Sequence, residues 1–541
     1  MLPELPEELL SHIFSYLALP SATKLADIAD HRNGYNAKDE LLRKDMQLSQ
    51  QTLFNVCLAS KTLYRLAWPA LYCAYSTWPK GLGSLSPSLY LRTLCLQPEY
   101  GKTLRSFSIR DQDDSNEEQT IMQRLYEYED FMSGDAMTMA AFQWRARNFW
   151  LRGHEGGRIF QDRLFRSLLI GMDDGITSMI LLTCPNITEL DISLPWDHRN
   201  SHLIADLFAV ITSPQPEQSP SGSPYEPPSA NYLSSQLFGT SWPDAQWQQP
   251  GVLEFLSELT LRSGVNTTWE PLLTHVTLLP SLKTLKVYDL IGGPSQDWLA
   301  TTLRRKAPQL RTLLLPECSL GNSSLCDIVQ LFPNLRTLKI DWNVMYNGFI
   351  SMKEIGRAIA RYIPQLVHLT LDASLCLAAE DSFDDDRRMS DTLCDGIKTM
   401  QFLRRLKIND QAIWSPLHIQ NGADLEVEPG IRNILPVRVT LLEVVSPLRG
   451  PDMGWNDPSS YALYQSWQAR DLRELLIDES FTELERLDIH NCERALYTSS
   501  VHERGWMHEV IELEGGTKVE RLSRHRTNGE LSVESRIQNG I

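Results

Sequence analysis

His198 and His202 stand four residues apart, the spacing at which one helix face can present two zinc ligands. No glutamate follows the first of them, so the pair lacks the general base of a metalloprotease helix and reads as loop or surface histidines. Nine cysteines are scattered over 541 residues with no Cys-x-x-Cys spacing. An odd, dispersed set suits reduced thiols and argues against a disulfide framework or a cysteine zinc site. Acidic runs occur at 111–118 (DQDDSNEE) and 380–386 (EDSFDDD). Neither has the ligand spacing of a calcium loop, and both read as surface loops. No phosphate loop, dinucleotide fingerprint, kinase set or nucleophile elbow is present, and no linear spacing singles out an acid/base pair of carboxylates. The expectation is a protein with no catalytic residue, no metal and no cofactor.

The bulk numbers point the same way. Formal net charge is −17 and the pI is near 5.2, which argues against nucleic acid as a partner. No run of about eighteen apolar residues occurs, so no membrane span is expected. Glutamates stand where a secretory leader would be basic, and a cytoplasmic or nuclear protein is expected. The sequons at Asn186, Asn266 and Asn322 then read as coincidences.

The elements that would carry any binding surface are announced by a recurring unit. CPNITELDI begins at Cys184, LPSLKTLKV at Leu279, APQLRTLLL at Ala307, FPNLRTLKI at Phe332 and IPQLVHLTL at Ile363. Each has a proline, then a small polar residue, then apolar-x-x-Leu-x-apolar. The spacing recurs without proline from Leu256, Leu403 and Leu484, and more weakly from Leu91, Leu104 and Val439. Proline ends a helix and starts an extended segment, and the last two apolar residues point the same way from a short strand. Helices are expected between the strands, from Ser295, Ser323 and Ser351. Helix alternating with strand at a recurring spacing predicts an α/β parallel-stranded solenoid in which stacking buries what no unit buries alone. First apolar positions at 256, 282, 310 and 335 lie 25 to 28 residues apart, while those at 366, 403, 439 and 484 are more widely spaced. Residues 213–250 hold eight prolines and no Lys or Arg, and read as a linker.

These units resemble leucine-rich repeats, whose pattern continues to an Asn or Cys that bonds backbone in the turn; Cys318, Asn343 and Cys492 hold that place here. The resemblance implies parallel strands on a concave face and helices on a convex one. Strand alternation then turns Arg262, Lys286, Tyr288, Lys339, Asp341, His368, Asp372, Arg405 and Lys407 to the concave face, with Trp342 nearby. Mixed signs with aromatic residues suit a protein or peptide target.

At the N-terminus, LPEELLSHIFSYL (residues 5–17) reads as a helix with more apolar residues than one packing seam can use. LFNVCLASKTLYRLAWPALY (53–72) reads as two further short helices, with Ser60 as a cap and Pro69 as a breaker. So small a module cannot bury all these residues internally, and the surplus predicts a partner surface. Together the stretches resemble the F-box of fungal F-box/leucine-rich-repeat proteins. The resemblance implies a non-catalytic, substrate-recognition subunit of an SCF ubiquitin ligase that binds a Skp-family adaptor, and through it a cullin, and also an unknown protein substrate. Leu5, Pro6, Leu9, Ile13, Phe14 and Leu17 would make or support the adaptor contact. The alternative is a leucine-rich-repeat scaffold with no ubiquitin role, its first helix serving as a cap. The expected organisation is a helical module over 1–76 with an insertion at about 18–52, a first repeat segment over 77–212, the linker 213–250, the main repeat segment over 251–497, and a cap with a polar tail over 498–541. The polar part of the insertion is expected to loop out.

Overall fold

The structure is a computed structural model describing residues 5–18, 37–77, 87–97, 99–109, 155–169, 173–194, 203–212, 252–263, 273, 275–291, 307, 309–343, 350–374, 395–414, 431–446, 458–490, 499–512 and 518–524. His198, His202, Cys492, both acidic runs, the stretch 213–250 and the helix expected from Ser295 lie outside these, save for the last residue of that helix. The chain divides into two compact units, residues 1–282 and 283–541.

The first unit begins with three helices, α1 (Glu7–Leu17), α2 (Ala37–Ala59) and α3 (Lys61–Leu71). The Pro6 carbonyl accepts the N–H groups of Leu9 and Leu10, and Glu7 and Glu8 occupy the first turn, where the helix dipole favours them. Ser60 caps α3 by accepting the Leu63 N–H at 3.1 Å. Two expectations are corrected. Of the polar stretch 29–45 expected to loop out, residues 29–36 lie outside the described ones, and 37–45 are instead the front of a helix that runs unbroken to Ala59, without Pro or Gly and with Met46 and Leu53 buried. Pro69 does not break α3 but lies within its last turn, and the helix ends two residues later at Leu71. Leu10, Phe14, Leu53, Cys57 and Ala67 form the buried core of this module.

The rest of the first unit runs β1 (Ala74–Ser76), α4 (Pro87–Leu96), β2 (Ser106–Ile109), α5 (Glu155–Leu169), α6 (Asp173–Thr183), β3 (Glu189–Leu194), α7 (Leu203–Thr212) and β4 (Glu258–Ser263). The four strands pair in parallel and in chain order, with Phe107, Leu190 and Leu259 in one register row. The weak unit at Leu91 is not a strand. Leu91, Leu94 and Cys95, three and four apart, are buried along one face of α4, because its apolar spacing fits a helix as well as a strand. Stacked rings join the end of α3 to α4 and the first two strands: Tyr72 lies 4.4 Å from Tyr100 and 6.4 Å from Tyr90, and Tyr75 lies 4.3 Å from Tyr90 and 5.4 Å from Phe107. Gly101 lets this layer close, since a Cβ there would stand 2.6 Å from the Thr183 carbonyl oxygen. Cys184, fully buried beneath, has its thiol pushed up to about 12 by burial, so it is inert packing.

The second unit runs β5 (Thr284–Val287), β6 (Thr312–Cys318), α8 (Asn322–Leu331), β7 (Thr337–Trp342), α9 (Met352–Tyr362), β8 (His368–Asp372), α10 (Asp395–Lys398), β9 (Arg405–Asn409), α11 (Ile431–Ile434), β10 (Leu441–Val445), α12 (Pro458–Ile477), β11 (Arg486–His490), α13 (Ser499–Glu503), β12 (Trp506–Glu512) and β13 (Lys518–Arg524). Strands β5 to β11 pair in parallel and in order. Then β13 runs antiparallel on β11 and β12 antiparallel on β13, so the chain finishes this edge with a hairpin. The helices α8, α9, α10, α11, α12 and α13 pack one on the next. Leu338, Ile340, Leu369, Leu371, Leu406 and Ile408, alternate along their strands, are buried with Ile355, Ile359 and Leu325 of the helices.

One backbone pattern explains why the sequence unit is so regular. The residue after each first apolar position offers its carbonyl to two consecutive N–H groups at the start of the next strand. Lys283 accepts from Arg311 and Thr312, Arg311 from Arg336 and Thr337, Arg336 from Val367 and His368, Val367 from Arg404 and Arg405, and Arg404 from Thr440 and Leu441. Arginine side chains at the same position add a second stitch: Arg311 Nη1 donates to the Asn334 carbonyl at 3.0 Å, Arg336 Nη1 to Gln365 at 3.1 Å and Arg404 Nη1 to Arg438 at 2.9 Å. Arg105 does the same in the first unit, to Asn186 at 3.0 Å.

Candidate functional site

On α1 the apolar residues split between two faces. Leu10 and Phe14 are 2% exposed and belong to the module core, with Leu17 half-buried against it. Leu5, Pro6, Leu9, Ile13 and Tyr16 are exposed, Leu9 at 50% and Tyr16 at 76%. Of the six residues expected at an adaptor contact, four therefore stand on the surface and Phe14 and Leu17 support them from behind. Further exposed apolar residues, Leu48, Phe54 and Leu58, lie on α2. Leu48 escaped the sequence reading because it cut α2 short, whereas Phe54 and Leu58 fall in the stretch 53–72 whose apolar surplus it did expect. Arg65 of α3 and Glu7 of α1 pair across the module.

The alternate residues of the strands make a polar face. In the first unit Arg262 Nε donates to Asp191 Oδ1 at 3.1 Å, and the Asp191 side chain is 1% exposed. In the second unit Lys286 lies 4.7 Å from the Tyr288 ring centroid. Lys339 pairs with Asp341 at 2.7 Å. Lys407 pairs with Asp372 and with Glu443, both at 3.3 Å, and Glu443 meets His490 Nε2 at 2.9 Å. Asp488 is held between Arg486 and Arg521. His368 is half-buried on β8 between Thr337 and Arg405 in register, and Arg405 is exposed. The structure thus brings Asp372 and Lys407 together and joins them to Glu443 and His490, and it forms a second cluster of Asp488 with Arg486 and Arg521; sequence reasoning missed these partners. The same strand alternation would have found Glu443 and Asp488.

Burial works against the charge of Asp372, Glu443 and Asp488, but their partners win. Lys407 and the Ser374 hydroxyl and N–H hold the Asp372 carboxyl below its usual range. His490 and Lys407 do so for Glu443, and the two arginines for Asp488. Lys407 is raised despite its burial, by the two carboxylates beside it. At Asp341 burial prevails and the carboxyl is raised: Oδ1 is buried without a hydrogen-bond partner, and only Oδ2 meets Lys339.

Two aromatic residues expected with this face are not on it. Tyr288 is 3% exposed and Trp342 1%, with Trp342 Nε1 donating to the Leu320 carbonyl at 3.2 Å. Trp342 follows the inward alternation of β7, while Tyr288, one residue past β5, breaks the alternation and is buried beside Val287. Asn409 is likewise buried, and it does the backbone work expected of the turn residues: its amide accepts from Ala373 N–H and donates to Ser374 Oγ at 2.9 Å and to the Val445 carbonyl at 3.4 Å.

Among the described residues no three His, Cys, Asp or Glu side chains are grouped to hold a metal ion. No helix among them is long and apolar enough to cross a membrane. No protein-family model matches this chain, and no curated protein sequence matches it.

Proposed function

We propose that the protein is the substrate-recognition subunit of an SCF-type ubiquitin ligase, in which an F-box module docks a Skp-family adaptor and a leucine-rich-repeat solenoid holds a target protein. The observation that carries this reading is α1, which commits Leu10 and Phe14 to its own core and leaves Leu5, Leu9, Ile13 and Tyr16 bare. Its contacts favour docking over the alternative of a repeat cap, since α1 packs on α2 and α3, and it is α3 that bears the rings leading to α4 and the strands. A receptor of this kind contributes no catalytic group; it raises the effective concentration of target beside a ubiquitin-charged enzyme. In the repeat reading the polar strand face is concave and the helices are convex.

The test is co-purification of the full chain with a Skp-family adaptor. Leu9→Asp with Ile13→Asp, both outside the module core, should abolish it while leaving the melting temperature within about 2 °C, because exposed substitutions cost little. An adaptor still bound by that variant removes α1 from the contact, and a wild type that never binds one leaves the scaffold reading.

A further inference from the structure

The polar strand face of the second unit neutralises itself; the edge beside it does not. At the N-terminal ends of the strands stand five exposed cations. Lys283, Arg311 and Arg336 lie one residue before β5, β6 and β7 respectively, Arg405 is the first residue of β9 and the outermost cation of the face, and Arg438 lies three residues before β10. No carboxylate among the described residues pairs with any of these five. Arg404, on the same edge, does have one, Glu483 at 3.1 Å. In a chain of net charge −17 this edge is a local reversal of sign. Two large apolar side chains break the surface in the same turns: Phe402 before β9 is 49% exposed and Val437 before β10 is 51%. The cationic stretch ends at β11, whose turn carries Glu483 and Glu485.

We propose that this rim, from β5 to β10, docks an acidic segment of a partner protein, an extended run of carboxylate side chains with an apolar residue seated against Phe402 and Val437. Neighbouring strands lie about 4.8 Å apart, so the five steps from Lys283 to Arg438 span about 24 Å, the length of about seven extended residues. Cations flanking exposed apolar side chains match the composition of protein-binding surfaces, where arginine and aromatic residues anchor the contact. A nucleic acid would meet the negative field of the remaining chain and has little use for an apolar pair. The proposal names the target chemistry that the receptor reading leaves open. It rests on that reading only for calling the ligand a target, since the adaptor takes no part in the measurement below.

Fluorescence anisotropy on the full chain tests it with three labelled probes: a Glu-rich 12-residue peptide with a central Leu-Phe pair, the same peptide with Lys for Glu, and a 12-nucleotide oligothymidine. The acidic peptide should bind at least tenfold more tightly than either other probe, and less tightly as salt is raised. The triple variant Lys283→Glu, Arg405→Glu, Arg438→Glu should weaken it at least tenfold. None of those three side chains makes a hydrogen bond or ion pair among the described residues, so the variant keeps the melting temperature of the wild type. Phe402→Ala should weaken the peptide several-fold. Absence of binding by the acidic peptide, or equal binding by wild type and triple variant, overturns the proposal. Oligothymidine bound as tightly as the peptide overturns the assignment to a protein segment.

Discussion

The polar strand face and the rim beside it, a few ångströms apart along the same strands, treat charge in opposite ways. On the face, cation and anion alternate and close on one another: Lys407 with Asp372 and Glu443, Glu443 with His490, Asp488 with Arg486 and Arg521. On the rim, Lys283, Arg311, Arg336, Arg405 and Arg438 have no carboxylate among the described residues. The difference comes from depth. Face residues stand shoulder to shoulder on paired strands and are half-buried, so an unpaired charge there is costly; rim residues reach water and need no partner. Charges spent on one another hold a structure, and charges left over are free for a ligand.

That contrast can be broken first at Lys407. Lys407→Ala leaves Asp372 and Glu443, which flank it from β8 and β10, without their shared cation, and the side chain is 28% exposed. The expected cost is about 2–3 kcal/mol, somewhat below the 3–5 of a fully buried pair, read as a shift in the urea midpoint. A loss under about 0.5 kcal/mol would mean the network is solvated in practice. Charge reversal at Lys407 is therefore a poor probe of target binding, because the fold itself depends on that residue.

Acid should reveal the same face next. Asp372, Glu443 and Asp488 are held below their ordinary values when folded, so the unfolded chain binds their protons more readily. Their contribution is complete above the unfolded values near 4, and is lost as pH falls through the lower folded ones. Asp341 and Asp471, raised by burial, act in the opposite sense and offset part of the loss. The melting temperature should be level from pH 8 to 6 and fall by several degrees below about pH 4. In Lys407→Ala the fall should be shallower, because two of the three depressions lose a cause.

On the rim the effects shrink. Arg336→Lys removes a guanidinium that reaches the Gln365 carbonyl and should cost about 0.5–1 kcal/mol, one hydrogen bond's worth. Arg405→Ala and Arg438→Ala should fall within about 0.5 kcal/mol in the same denaturation assay. A larger loss at either would show a structural partner on the rim and erase the distinction.

Much of the fold was legible because one pattern both buries residues and orders backbone. Units at Cys184, Leu256, Leu279, Ala307, Phe332, Ile363, Leu403, Val439 and Leu484 lead into strands β3 to β11, their apolar pairs inward. Leu91 misled because Leu94 lies three residues on and Cys95, at a variable position of the unit, four, and that is the spacing of a buried helix face. The length of α2 was missed because its front half is polar: a helix can be held by a few buried residues such as Met46 and Leu53 without an apolar stripe. At the candidate sites, alternation gave the face but not the pairing; it places Trp342 inward with Leu338 and Ile340, and only Tyr288, just past β5, departs from it. Partners such as Glu443 for Lys407 come from strand neighbours 36 positions away, which no local spacing encodes.

The doubled hydrogen bond at each strand start carries a consequence for how such a chain can change through descent. Successive turns are locked to one another at the N-terminal ends of the strands, by one carbonyl serving two amides and by the arginine stitch. Past the strand ends the described links are of other kinds, such as the Asn409 side chain on Ala373, Ser374 and the Val445 carbonyl, and they lie within a residue or two of the strand. Residues can be gained or lost further out without moving the next strand, which is where the widening intervals after position 366 accumulate. Insertions and deletions should therefore concentrate beyond the strand C-termini, while the opposite edge keeps its register, and whatever binds at that edge is insulated from the drift of the loops.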